Sequence, residues 1–206
     1  PTPIIAGNVS FYNESKDKPI PPSPIISCLG RIQDVKKAIT MSFKRENSSI
    51  ILIGKRKNEL GGSIFYDLHN ELGKNVPTPD LNEVKNQIYG ITDCIERNLV
   101  FACHDISEGG VATSLCEMAF GNSIGCSVKI ESELSTEKIL FSETGGFILE
   151  AKNENIESIH SIFNQYKLEA YVIGITRGNK IKLNNAINIT VDDAKKSWEN
   201  GLRNKL

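Results

Sequence analysis

Long apolar runs are missing from this 206-residue chain, and no hydrophobic stretch approaches the ~20 residues that a membrane-spanning helix needs. Residues 1–30 also lack the basic start and apolar core of a secretory signal. A surplus of charge is missing: 24 Lys and Arg stand against 25 Asp and Glu, well mixed along the chain. That balance leaves no electrostatic footprint for nucleic acid or for an anionic membrane. Paired cysteines are missing too. Cys28, Cys94, Cys103, Cys116 and Cys126 are odd in number, and no two sit at Cys-x-x-Cys spacing, so neither a disulfide framework nor a zinc ribbon is indicated. Cys103, Cys116 and Cys126 lie among apolar neighbours and read as small buried hydrophobes of a reducing compartment, which points to the cytoplasm. The first residue is Pro1 rather than methionine, and it opens a strand-and-turn pattern, so the expectation is a piece of a longer chain.

What is present divides into two patterns. Residues 1–30 are rich in Pro, Ile and Gly and read as two short apolar strands joined by a polar loop. Such a pair cannot bury its own surface, so it needs a partner. From Ser48 onward strands and helices alternate. Ser49–Gly54 is a continuous apolar run ending in glycine, the pattern of a buried strand. Asp80 is placed to cap a helix on which Leu81, Val84, Ile88, Ile91 and Ile95 draw one apolar stripe. Residues 99–103, 126–130, 147–151 and 170–176 read as strands. Helices are expected around Val111–Ala119, Ile156–Tyr166 and Val191–Leu202. The spacing therefore predicts an α/β (α+β) domain with a mixed sheet and flanking helices over 48–206, with a boundary near residues 45–48.

Four segments could carry chemistry, and each has a plain structural alternative. In Gly7-Asn8-Val9-Ser10, the glycine admits close backbone approach to a ligand. Asn8 offers a neutral oxygen suited to Mg²⁺, and Ser10 offers a hydroxyl; on a strand the two would face one side. The alternative is a strand-end turn. Glu59-Leu60-Gly61-Gly62-Ser63 either exposes backbone N–H groups to an anion or is a tight turn with Ser63 as helix cap. In His104-Asp105-Ile106-Ser107-Glu108-Gly109-Gly110, Asp105 could bind a metal and Ser107 could cap the next helix. A zinc site or a nucleophile pair from Cys103 and His104 is disfavoured, because neighbouring strand residues face opposite sides. Phe141-Ser142-Glu143-Thr144-Gly145-Gly146 either brings a carboxylate to a ligand or is a solvent-exposed hairpin. His69 and His160 lie on helical patterns and read as surface or core residues.

The order of these segments is more specific than any one of them. GNVSFYNE, then PPSPIIxxLG, then ILIG with ELGGS, then HDISEGG before a helix, then LFSE before a strand resembles the large ATP-binding subunit of phosphoribosylformylglycinamidine synthase, across nearly the whole chain. The resemblance implies a duplicated two-domain architecture. Residues 1–47 would be the tail of the second N-terminal-like domain, contributing strands, and residues 48–206 the second C-terminal domain, of aminoimidazole ribonucleotide synthetase type. It implies a ligase of purine biosynthesis. Mg²⁺ and ATP serve to phosphorylate the amide oxygen of formylglycinamide ribonucleotide, and ammonia then displaces the phosphate. Implied partners are a glutaminase subunit, a small accessory subunit and the missing N-terminal part of the same chain, with no nucleic acid and no membrane.

Carried onto this sequence, Gly7 resembles an ATP contact, Asn8 a Mg²⁺ ligand and Ser10 a substrate contact. The family's general-base histidine and most metal carboxylates belong upstream, so no catalytic residue is named here and the chain alone is expected to be inactive. Because the family is internally duplicated, Asp105 could line either the catalytic or a structural nucleotide site. Gly146 stands where many members carry arginine. The alternatives to a catalytic fragment are a non-catalytic nucleotide-binding and subunit-docking module of the same complex, or a domain of a paralogous ATP-dependent synthetase or kinase.

Overall fold

The computed structural model describes residues 3–8, 14–15, 18–20 and 25–201. It divides into two compact units, Pro1–Gln33 and Asp34–Leu206. In the first, strands β1 (Glu14–Ser15) and β2 (Lys18–Pro19) pair antiparallel, Glu14 opposite Pro19. Regular pairing thus lies in the polar stretch. The described residues of the two apolar stretches, 3–8 and 25–30, carry no regular structure, contrary to the two strands expected. The reason is the lack of neighbours. Ile4, Ile5, Ile25 and Leu29 are each more than 90% exposed, and extended chain without a sheet partner or a packed face has nothing to hold it.

The second unit is a seven-stranded sheet. Its strands are β3 (Ser49–Ile53), β4 (Val100–Asp105), β5 (Cys126–Val128), β6 (Phe147–Ala151), β7 (Ala170–Thr176), β8 (Lys180–Leu183) and β9 (Ile187–Thr190), in the order β4-β6-β3-β7-β5-β8-β9. The β5–β8 pair is parallel and the other neighbours are antiparallel, so the sheet is mixed. All five residues of β3 are buried, and strand alternation sends them to opposite faces. Ile51 and Ile53, with Leu149 and Ala151, meet α2 (Leu81–Glu96) and α5 (Ile156–Gln165) through Ile91, Cys94, Ile159, Ile162 and Phe163. Ile50, Leu52 and Ile148 meet α3 (Gly110–Phe120) and α4 (Thr136–Phe141) through Val111, Leu115, Met118, Ile139 and Leu140. The short α1 (Ile64–Leu68) and the closing α6 (Val191–Asn200) complete the unit.

Asp80 caps α2 as expected: its Oδ1 accepts from the Asn82 and Glu83 amides at 2.8 and 3.2 Å. The helix is rotated from the expected stripe, however. Its buried residues are Gln87, Gly90, Ile91 and Cys94, whereas Leu81 is 78% and Ile88 47% exposed. Gly90 explains the rotation. A Cβ there would lie 2.7 Å from the Phe163 ring, so α5 seats its aromatic directly on the helix backbone.

Residues 34–47 belong to this unit. Phe43 is fully buried in the core, Thr40 bridges Ala102 in parallel, and the amides of Lys44 and Arg45 donate to the Glu150 carboxylate at 2.7 and 3.0 Å. Glu150 is wholly inaccessible. Burial pushes its carboxyl above the ordinary 4.5, although the two amides pull the other way. A carboxyl raised on folding stabilises the protein fully below its unfolded value, and that contribution is lost as pH rises through the folded value. The melting temperature is therefore expected to fall as pH rises above 4.5 through that range, and Glu150→Gln, which cannot ionise, should flatten the decline in a pH series of thermal melts.

Packing across α2 and α5 yields a second expectation. Phe163→Ala should cost about 3–5 kcal/mol in denaturant titration, as large-to-small core changes of this type do. Leu81→Ala, on the exposed side, should stay within about 0.5 kcal/mol.

Candidate functional site

Three of the four segments singled out in the sequence come together at the end of β3 and β4 where the chain enters Gly54 and Ile106. The turn Ser142–Gly146 is the point of contact. Glu143 Oε1 accepts from two backbone amides at once, Ile64 N at the start of α1 and Gly109 N just before α3, both at 2.9 Å. Ser142 Oγ donates to the Glu59 carbonyl at 3.0 Å, and Thr144 Oγ1 donates to the Glu59 carboxylate at 2.7 Å. The Ile106 amide donates to the Gly146 carbonyl at 2.9 Å. Glu143 is thus half-buried and occupied, not the tip of a solvent-exposed hairpin.

This network decides between the readings of the glycine turn. In residues 61–64 every amide is taken: Gly61 N by the Asn75 carbonyl, Gly62 N by Leu72, Ser63 N by Leu60 and Ile64 N by Glu143. No amide is left for an external anion, and Ser63 acts as the helix cap, its hydroxyl accepting from Tyr66 N at 3.3 Å. In the second loop the amides of Ile106, Gly109 and Gly110 are likewise spent on Gly146, Glu143 and Ser107. Ser107 does not cap α3. The cap position is Gly109, at φ 76° with no side-chain bond, because the chain must turn through a left-handed conformation there. What this loop turns to solvent is oxygen: Asp105, Ser107 and Glu108 are all exposed. Exposed side-chain oxygens of this kind can contact a cation or a cation-bridged ligand.

His104 lies between two carboxylates, with Nε2 2.8 Å from Glu117 and Nδ1 3.2 Å from Asp105. Its partners are acidic, and Cys103 is not among them. Burial pushes the Cys103 thiol up to about 12 and those of Cys94, Cys116 and Cys126 to about 12, 11 and 12, so they stay protonated and unreactive at neutral pH. The cysteines are free. Among the described residues, no group of three His, Cys, Asp or Glu could hold a metal ion, and no helix is long and apolar enough to cross a membrane.

Sequence reasoning missed Arg56. Its guanidinium donates to the carbonyls of Ser142, Thr144 and Gly145 at 3.4, 2.5 and 2.8 Å, pinning the turn that carries Glu143. Desolvation lowers it to about 10, partly offset by Glu59, so it remains a cation at neutral pH. Arg56 also passes Gly146, where the resemblance leads one to expect arginine. A Cβ at 146 would lie 2.5 Å from the Ile53 carbonyl, so this backbone, at φ 146°, admits glycine.

The fourth segment lies in the first unit. Gly7 and Asn8 are exposed and carry no regular structure, and a Cβ on Gly7 would meet nothing within 4 Å. Ser10 lies outside the described residues.

An α+β unit with this strand order is the fold of a known class, and residues 45–183 match the family model of the AIR synthase related protein, C-terminal domain. The chain belongs to that family. Over its full length it is 35% identical to the phosphoribosylformylglycinamidine synthase subunit PurL of Methanothrix thermoacetophila, and over 79% of its length 39% identical to that of Thermococcus sibiricus. It spans only 28% and 23% of those relatives. Among solved structures, Thermotoga maritima PurL complexed with FGAR superposes with a TM-score of 0.66 at 18% identity, covering 78% of this chain and 30% of that one. The PurLQS structure from the same organism gives 0.62 at 18% identity, covering 76% and 27%. At that identity the likeness establishes the fold.

Glu143 supplies the test of the network. Glu143→Ala leaves two amides without their acceptor and should cost about 1–3 kcal/mol. Glu143→Gln keeps a carbonyl oxygen and should recover most of the loss in urea titration.

Proposed function

We propose that this chain is part of an ATP-dependent ligase that converts formylglycinamide ribonucleotide to formylglycinamidine ribonucleotide with glutamine-derived ammonia, in cytoplasmic purine biosynthesis. The observation that carries this reading is the 35% identity to a PurL subunit along the entire chain, GNVSFYNE segment included. In this reading the chain before residue 48 is the tail of the second N-terminal-like domain, of which residues 34–47 pack with the second C-terminal domain formed by 48–206. A glutaminase subunit and a small accessory subunit complete the assembly.

Gly7 borders ATP, Asn8 holds Mg²⁺ and Ser10 binds the substrate. The residues fit these roles in kind. Asn8 presents a hard, neutral oxygen from exposed chain, and the space around Gly7 is open to a nucleotide. One amide oxygen does not make a magnesium site, so the remaining oxygens come from phosphates, water and the rest of the protein. When bound, Mg-ATP supplies the phosphoryl group that activates the amide. This chain's own residues hold and position the reacting groups, and positioning is much of what a phosphoryl-transfer site does. The interlocked turns of the second unit set Asp105, Ser107 and Glu108 on a rigid edge, where they contact a cation-bridged nucleotide. A docking role within the same complex is favoured by the apolar side chains of the first unit: Ile4, Ile5, Ile25, Ile26 and Leu29 stand almost wholly uncovered.

The test uses the full-length parent enzyme. A hydrogen bond to a charged group contributes roughly 1.5–3 kcal/mol, and ~1.4 kcal/mol is a factor of ten. Ser10→Ala should therefore weaken binding of formylglycinamide ribonucleotide by roughly ten- to a hundredfold and leave ATP affinity unchanged. Asn8→Ala should raise the Mg²⁺ requirement. Unchanged substrate dissociation constants with lowered melting temperatures would reduce the segment to a structural turn.

A further inference from the structure

A cleft of about 460 Å³ opens beside β3, β5 and β7, lined at its floor by Leu52, Tyr171 and Ile173 and at its rim by Lys55, Arg56 and Lys129. It shares no residue with Gly7, Asn8 or Ser10, or with the loop after β4. Its size is that of small-ligand sites, and so is its make-up, an apolar base with a few convergent polar groups.

Arg56 is the unusual member. Its guanidinium is largely removed from water, and its recorded partners are three neutral carbonyls. Among the described residues no carboxylate reaches ion-pair distance of it, Glu59 acting only from further away. Its Nε–H is buried with no hydrogen-bond partner among them. A desolvated cation with an unused donor is unfavourable unless an anion is brought to it. The rim adds two further cations. Lys55 pairs with Glu169 at 3.4 Å and Lys129 with Glu131 at 2.7 Å; of those two carboxylates only Glu131 lines the cleft. Glu169 is held by both Lys55 and the Tyr171 hydroxyl, so three cations stand against two carboxylates, and the one positive charge left over favours an anion. Tyr171 gives the floor an aromatic surface on which a planar group can rest.

We propose that this cleft binds a phosphorylated small molecule with a planar apolar body, its phosphate on Arg56 and Lys129 and its body on Tyr171 and Ile173.

The experiment follows the Arg56 Nε–H resonance by two-dimensional NMR while the full 206-residue chain is titrated with phenyl phosphate, inorganic phosphate, benzoate and phenol. Phenyl phosphate should move the resonance saturably and bind about tenfold more tightly than inorganic phosphate, a difference of ~1.4 kcal/mol. Benzoate, a monoanion, should bind more weakly than phenyl phosphate, and phenol should leave the resonance in place. Arg56 also holds the 142–145 turn, so its substitution risks the fold. Lys129→Gln serves instead, its side chain being 71% exposed, and should weaken phenyl phosphate several-fold at an unchanged melting temperature. An Arg56 resonance that neither phosphate moves, or phenyl phosphate binding indifferent to Lys129→Gln, would overturn the site. Equal affinity for inorganic and phenyl phosphate would overturn the organic ligand.

Discussion

A single carboxylate oxygen, Glu143 Oε1, takes the backbone amides that open two different segments, Ile64 at α1 and Gly109 before α3. Both amides sit at chain reversals where the helix or strand ladder leaves N–H groups without an internal acceptor. Had water or a ligand been left to satisfy them, the two loops would be free to move independently. Glu143 can serve both because its own turn is held from the other side by Arg56, through the carbonyls of Ser142, Thr144 and Gly145, and by the Glu59 bonds from Ser142 and Thr144. The order of the sheet makes this possible. β6 lies between β3 and β4, so the turn entering β6 falls next to the chain leaving both neighbours.

That arrangement shapes what the unit can do. The glycine turns bind their own carbonyls and Glu143, so they act as scaffold rather than as anion cradle. What they display is Asp105, Ser107 and Glu108, oxygens on a braced edge. A site that works by holding charges at fixed distance benefits from such bracing. Arg56, which pins the turn that carries Glu143, also lines the cleft beside β3, β5 and β7 and carries the unsatisfied donor.

Much of the second unit was legible in the sequence. The apolar run at 49–54 and the strands at 147–151 and 170–176 announced themselves by composition, since buried strands need continuous apolar residues. Asp80 and Ser63 were recognisable as caps. The β8–β9 hairpin was not. Lys180-Ile181-Lys182-Leu183 buries only alternate residues, and a four-residue alternation is too short to stand out. α4 is six residues long and escaped for the same reason. On α2, Ile91 and Ile95 meet the core as the stripe predicts, but Leu81 and Ile88 do not, because hydrophobicity ranks them above Gly90, whereas the helix rotates to put its smallest residue under Phe163. The role of Glu143 was open between ligand and surface because its partners, Ile64 and Gly109, are backbone amides far along the chain, and no side-chain pattern encodes them. Arg56 lay unremarked in a basic run that looks like any solvated turn.

Native-state hydrogen exchange on the amides of Ile64, Ile106 and Gly109 tests most directly whether these segments form one interlocked body. If they do, the three protons, bonded to Glu143, to the Gly146 carbonyl and to Glu143 respectively, exchange with one common opening free energy. Removing the Glu143 carboxylate then lowers protection at all three, Ile106 included, although Glu143 does not bond it. Separate opening energies, or a loss of protection at Ile64 and Gly109 that leaves Ile106 unchanged, would contradict the account.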